Sequence, residues 1–383
     1  MRVALVTGIC VPHDAISAAV VTQAEILSAH PSITEVIVVT QFIGCALPCA
    51  SYQITDPWQL VALFEDLAID ASVFHFGIRY ELFNALWLLD ASHTSCAVHF
   101  HNVTPPHLAD ETDRATLEAS LIQAQLMAAL KFPVWTYSQH NRDALTEWGV
   151  SEERLEFVPI VIDPPRSLRA RRDDEIIRLL TVGRLAPAKG LHVLMDALAL
   201  LLDRGVWDFE LRVAGNPALS STDYSNGLAD QIRGHGLGSR VHLIGQPTDD
   251  DLWALYEETD VVVSPSLHEG LCIPIIEGYL AGCRAIGTDA GNLPYVVCPP
   301  DKVARANDSE SLSDVIETTL QEIRAARAGG ALPTNEIARR MCEQFSRASA
   351  SRHLMHQLEK LQSEGASATL PQAPAAPRRD RAR

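Results

Sequence analysis

Short apolar runs recur along this chain, and a stretch with helical periodicity separates each from the next. In the first half the runs are 3–7, 35–40, 72–76, 96–100 and 134–138, with helical patterns at 18–29, 57–67 and 114–130 between them. The second half repeats the rhythm with runs at 177–182, 210–214, 241–244, 261–265 and 284–288. A strand that is apolar on both faces belongs to a parallel sheet covered by helices on both sides. The pattern therefore predicts an α/β fold, and two such series in tandem predict two Rossmann-like domains.

The break between the series falls near Asp163, Pro164 and Pro165, since consecutive prolines continue neither a helix nor a central strand. We expect a first domain over 1–163 and a second over 164–340. A helix over 341–362 should present Phe345, Leu354, Leu358 and Leu361 on one side. The remainder, 363–383, is rich in Ala, Pro and Arg and reads as a disordered tail.

At 383 residues and 47% hydrophobic content the chain can fill two cores. A net charge of −17 opposes broad nucleic-acid binding and attraction to an acidic membrane surface. No apolar run reaches the length of a bilayer span and no basic segment precedes Ile9 and Val11. A cytoplasmic protein is the expectation, with peripheral membrane contact left open. Eight cysteines show no CxxC pairing, so reduced thiols are expected.

Chemistry concentrates in two segments. In 266–277, Glu269 and Glu277 stand eight residues apart, close to two helical turns, so both can face one cavity. Gly270 to Pro274 reads as a helix entry, whose free N–H groups attract anions. Carboxylates beside an anion site suit a ligand that carries phosphates and hydroxyls, such as a nucleotide sugar. In 181–190, Gly183 permits a tight strand exit, while Arg184 and Lys189 offer cations to phosphate oxygens.

Together these segments resemble the signatures of retaining glycosyltransferases of family 4: the Glu-x7-Glu motif and a G-R-L-x-x-x-K-G turn. The segment His101, Asn102, Val103, Thr104, Pro105 is similar to the H-N-x-T-P stretch of a bacterial subset that includes polysaccharide mannosyltransferases. The resemblance implies a GT-B fold with a cleft between the domains and the C-terminal helix crossing back to the first. It implies Arg184 and Lys189 at the leaving diphosphate and Glu269 at the donor-sugar hydroxyls. It also puts Glu277 at the ribose, Gly183, Gly270 and Leu271 around the nucleotide sugar, and His101 near the reacting carbon. No cofactor and no metal are implied; His99, His101, His107 and Asp110, and the nearby pair Cys45 and Cys49, are the groupings whose spacing a metal could use.

The expected activity is transfer of a hexose, mannose slightly favoured, from a nucleoside-diphosphate sugar to a glycan or another hydroxyl acceptor. A catalytically silent sugar-nucleotide-binding subunit and a GT-B epimerase are the alternatives. The chain departs from the family in three places: 10–17 lacks the Gly-Gly of the first loop, Cys272 replaces a small residue, and Tyr295 stands where Glu is common. In the first loop, Asp14 and Ser17 read either as helix caps or as acceptor-facing groups.

Overall fold

The computed structural model describes residues 1–89, 95–163, 175–215, 222–329 and 336–367. Two parallel sheets carry the fold. The first is built from β1 (Arg2–Cys10), β2 (Glu35–Ile43), β3 (Ala50–Gln53), β4 (Ala71–Phe76), β5 (Ser95–Phe100), β6 (Val134–Thr136) and β7 (Leu155–Phe157), in the order β3-β2-β1-β4-β5-β6-β7. Its helices are α1 (Ala15–Ser28), α2 (Pro57–Asp66), α3 (Glu111–Ala128) and α4 (Gln139–Glu147). The second sheet has β8 (Ile177–Val182), β9 (Phe209–Ala214), β10 (Val241–Gly245), β11 (Val261–Val263), β12 (Arg284–Thr288) and β13 (Lys302–Ala304), in the order β10-β9-β8-β11-β12-β13. Around it lie α5 (Leu191–Asp203), α6 (Thr222–Gly234), α7 (Asp249–Glu257), α8 (Ile273–Leu280), α9 (Leu293–Val296) and α10 (Ser309–Ala328).

All the strand pairs are parallel. The fold is thus two Rossmann-like units, the GT-B architecture. In each sheet the strand order reverses beside the first strand of the unit. One such switch point lies between β1 and β4, the other between β8 and β11. Ligands of open α/β sheets sit outside the carboxyl ends of the strands at these points.

The central strands are apolar throughout because both faces are covered. Val3, Leu5, Val73 and Ala97 point to one side of the first sheet, and Ala4, Val6, Phe74 and Val98 to the other. Asp14 caps α1, accepting from Ser17 N at 2.7 Å and from Ser17 Oγ at 2.7 Å. Of the two sequence readings of that pair, the structure shows the cap.

The C-terminal segment departs from the single helix expected over 341–362. It forms α11 (Glu336–Phe345) and α12 (Arg347–Ser367), broken at Ser346. Two helices let Phe345 and Met341 pack with α8 of the second domain, while Ala350, Leu354 and Leu358 pack with Val3, Leu5 and Trp135 of the first. Lys360 pairs with Glu156 and Arg347 with Glu25, fixing α12 against the first domain. Residues 363–367, expected in the tail, continue the helix; the rest of the expected tail, 368–383, and the expected boundary at Pro164 and Pro165 lie outside the described residues.

Candidate active site

The turn after β8 and the loop after β11 meet at the switch point of the second sheet. Gly183 N donates to Ala214 O at 2.9 Å, and a 3-10 turn over Pro187–Lys189 leads to Gly190. Gly190 has φ 64°, and a side chain there would overlap the Pro265 carbonyl. Only glycine meets both demands without strain. Leu267 N then donates to Ala188 O at 2.8 Å, so the two loops are joined through their backbones.

This junction brings two of the expected site residues together. Lys189 Nζ donates to Glu269 Oε1 at 2.7 Å, and Ser266 Oγ donates to the same oxygen at 2.7 Å. The side chains are 29% and 11% exposed, so the ion pair is largely shielded from water. Behind Glu269, Gly291 packs so closely that a side chain would overlap the Glu269 backbone, and Asn292 N donates to Glu269 O at 2.9 Å. Glu269 is therefore held from both sides of its backbone.

Arg184 stands apart. It is exposed and lines a cavity of about 280 Å³ between the domains, together with Asn102, Asp110, Asp113 and Ala186. Glu277, on α8, accepts from Tyr256 Oη of α7 at 2.6 Å. Burial raises the Glu277 pKa, against the lowering effect of that hydrogen bond. The two glutamates thus engage different partners: Glu269 a cation and a hydroxyl, Glu277 a phenol one helix away.

The entry to α8 shows what the departure at Cys272 does. Leu271 and Cys272 are buried, and Cys272 occupies the left-handed region with φ 70° and ψ 69°. That conformation costs an L side chain about 1–2 kcal/mol, which is why a glycine suits it better. The thiol donates to Ser264 Oγ at 3.3 Å, and burial pushes its pKa up to about 12, so it is a neutral packing group.

His101 does not open to the cleft. Its Nε2 is 2.9 Å from His75 Nδ1, and its Nδ1 is 3.2 Å from Tyr137 Oη. Both ring nitrogens are engaged inside the first domain, so in this conformation the imidazole has none left for a sugar near the reacting carbon. The next residue, Asn102, turns outward with φ 94°. Its Nδ2 donates to His268 Nε2 at 2.8 Å across the cleft, and it rests on Gly270, where a Cβ would come 2.7 Å from Asn102 Cβ.

Sequence reasoning gave Asn102 and His268 no role of their own. Only the pairing of the two loops across the cleft reveals them. Accepting from an amide N–H requires His268 to be neutral at Nε2. Burial, with His140 and Lys189 nearby, lowers its pKa to about 4 despite the opposing charge of Glu269.

Residues 167–328 match the family model of glycosyl transferases group 1. Over 212 residues the chain is 32% identical to an MMP alpha-(1->4)-mannosyltransferase of Mycolicibacterium hassiacum, covering 53% of this chain and 48% of that one. The chain thus spans about half the length of that curated relative. Over 315 residues it is 26% identical to a D-inositol 3-phosphate glycosyltransferase of Corynebacterium aurimucosum, covering 76% of this chain and 70% of the other. Among solved structures, Anabaena Alr3699/HepE in complex with UDP-glucose superposes with a TM-score of 0.69 at 17% identity, covering 94% of this chain and 100% of that one. At that identity the likeness speaks for the fold alone.

Proposed function

We propose that this chain, a GT-B protein of the group 1 glycosyltransferases, transfers a hexose from a nucleoside-diphosphate sugar to a hydroxyl of a glycan with retention of configuration. The observation that carries the reading is the shielded Lys189–Glu269 pair, set where the two motif loops join at the switch point. A cation and a carboxylate that satisfy each other in the free protein match the two halves of the donor. The diphosphate takes the cation, and the sugar hydroxyls take the carboxylate.

In this reading the bond between the anomeric carbon and the diphosphate oxygen breaks, and the acceptor oxygen bonds to that carbon from the same face. The acceptor proton passes to the departing phosphate oxygen. Arg184, Lys189 and the N–H groups at the α8 entry stabilise the charge that develops on the leaving group. Gly183, Gly270 and Leu271 allow the backbone to approach the donor, and Glu277 holds the ribose. Separation of the domains lifts Asn102 from Gly270 to admit the donor, and reclosure excludes water.

The fixed cations make a divalent ion unnecessary for transfer. A cytoplasmic site of action, with glycan assembly as the setting, accompanies this reading; no helix among the described residues is long and apolar enough to cross a membrane. Mannose is the favoured hexose because the motif over 101–105 resembles the polysaccharide mannosyltransferase subset and because the M. hassiacum relative is named a mannosyltransferase.

The test is a panel of UDP- and GDP-hexoses with glycan acceptors, followed by nucleotide release and by NMR of the product's anomeric centre. Acceptor-stimulated release with a retained anomer, undiminished without added magnesium or manganese, is expected. Binding without release would identify a silent subunit, and an isomerised donor an epimerase.

A further inference from the structure

The parallel register of the first sheet sets His75 of β4 directly beside His99 of β5. His101 follows two residues later on the same side of the chain. The three rings cluster with centroids 5.2, 5.1 and 4.6 Å apart. They are 1%, 0% and 8% exposed. One ring nitrogen from each can be chosen so that all lie within 4.8 Å of one another. The sequence shows only the His99 and His101 spacing; His75 joins them through strand pairing.

We propose that His75, His99 and His101 form a buried binding site for a divalent transition metal of the zinc class. Imidazole nitrogens suit zinc, copper, nickel and iron, and three histidines with an open fourth position are a familiar zinc set. The hydrogen-bond network prepares the nitrogens for it. Tyr137 Oη donates to the His101 carbonyl at 3.0 Å, so it is free to accept from His101 Nδ1–H at 3.2 Å. That assignment leaves His101 Nε2 as a lone pair facing His75 Nδ1 at 2.9 Å. A cation needs that separation to widen only to about 3.3 Å, from Zn–N bonds of about 2.0–2.1 Å.

His99 is held in a similar way. Gln23 of α1 lies 3.1 Å from His99 Nδ1 through its amide nitrogen, while its amide oxygen is buried without a partner. Turning the amide over lets Gln23 Oε1 accept from Nδ1–H and frees His99 Nε2 as a lone pair. Such outer partners fix the tautomer of a metal-ligating histidine. His99 Nε2 is itself buried with no hydrogen-bond partner, an arrangement costly for apolar packing alone. A small cavity of about 60 Å³ touches His75 and is also lined by Asp14. It has room for a water beside His75. The bound ion would stiffen the end of β5 immediately before Asn102.

Tag-free protein, exposed to zinc and then desalted, should retain one equivalent by elemental mass spectrometry, and added zinc should raise its thermal midpoint. Cobalt(II) should give the intense visible bands of a tetrahedral site. His75→Phe keeps the packed ring and removes the donor nitrogens, so the equivalent should be lost. Gln23→Leu keeps the ligands but removes their outer partner, and should weaken affinity about 10- to 100-fold. A wild-type protein that binds well below one equivalent overturns the proposal. So do octahedral cobalt bands, or undiminished binding in both variants. If His75→Phe fails to fold, the wild-type cobalt spectrum and Gln23→Leu still decide.

Discussion

Glu269→Gln should move two measurements in opposite directions. In the free protein Glu269 Oε1 accepts from Lys189 Nζ at 2.7 Å and from Ser266 Oγ at 2.7 Å. A nucleoside diphosphate that recruits Lys189 must first break this pair. Exposed ion pairs are worth about 0.2–1 kcal/mol, and hydrogen bonds to charged groups about 1.5–3 kcal/mol. With side chains 29% and 11% exposed the pair lies between those limits, and we take about 1 kcal/mol, discounting for the solvent that reaches Lys189. Glutamine keeps the acceptor for Ser266 and releases the lysine. Calorimetric titration should therefore show the bare diphosphate binding about fivefold tighter, since about 1.4 kcal/mol is tenfold. Turnover with the full donor should fall, by up to about 100-fold, because the sugar loses the carboxylate that places its reacting carbon. A parallel loss of diphosphate affinity and turnover would refute this division of roles and put Glu269 at the nucleotide instead.

Gly190→Ala should cost more than about 2 kcal/mol in a denaturant titration, because φ 64° and the Pro265 carbonyl both oppose a side chain; an effect within about 0.5 kcal/mol would mean the two loops separate freely. The pH dependence of stability should carry the mark of His268. Its folded pKa of about 4 lies below an unfolded value near 6.5, so the unfolded state binds the extra proton and stability is lost as pH falls below about 6.5 toward 4. Between pH 7 and pH 5 this group should contribute up to about 2 kcal/mol of loss, which His268→Gln should remove from the slope; equal slopes would reject it.

Sequence reasoning recovers the central strands, because burial on both faces writes them as apolar runs, and it also recovers β10, a mostly exposed edge strand with three apolar residues. β3, β7 and β13 escape it. Two of the three have only three residues, and all lie at sheet edges, where β3 is mostly exposed. The break at Ser346 also escapes, since the apolar positions of α11 and α12 serve two different domains while sharing one approximate periodicity. The motif loops are legible because glycine at 190 and the acid at 269 follow from local backbone and charge demands. The orientation of His101 is not legible: the chain shows a histidine at a strand end, and only the neighbouring strands show that His75 and Tyr137 claim both its nitrogens.

Pairing Lys189 with Glu269 also bears on how the proposed donor is distinguished from its own product. A leaving diphosphate and the intact donor present the same phosphates to Lys189 and Arg184. When either binds, Glu269 loses its cation while remaining only 11% exposed, and a carboxylate so placed is costly without new partners. The intact donor brings sugar hydroxyls to donate to it; the bare diphosphate brings none. Under the proposed reading the pair would penalise the product selectively and favour its release after transfer. Among the described residues Arg184 makes no such ion pair. It is exposed on the cavity wall, and it attracts the more highly charged product at least as strongly as the donor. Discrimination then rests on Lys189 and Glu269 as a unit, with Ser266 and the backbone of Gly291 and Asn292 holding the carboxylate where the hydroxyls arrive.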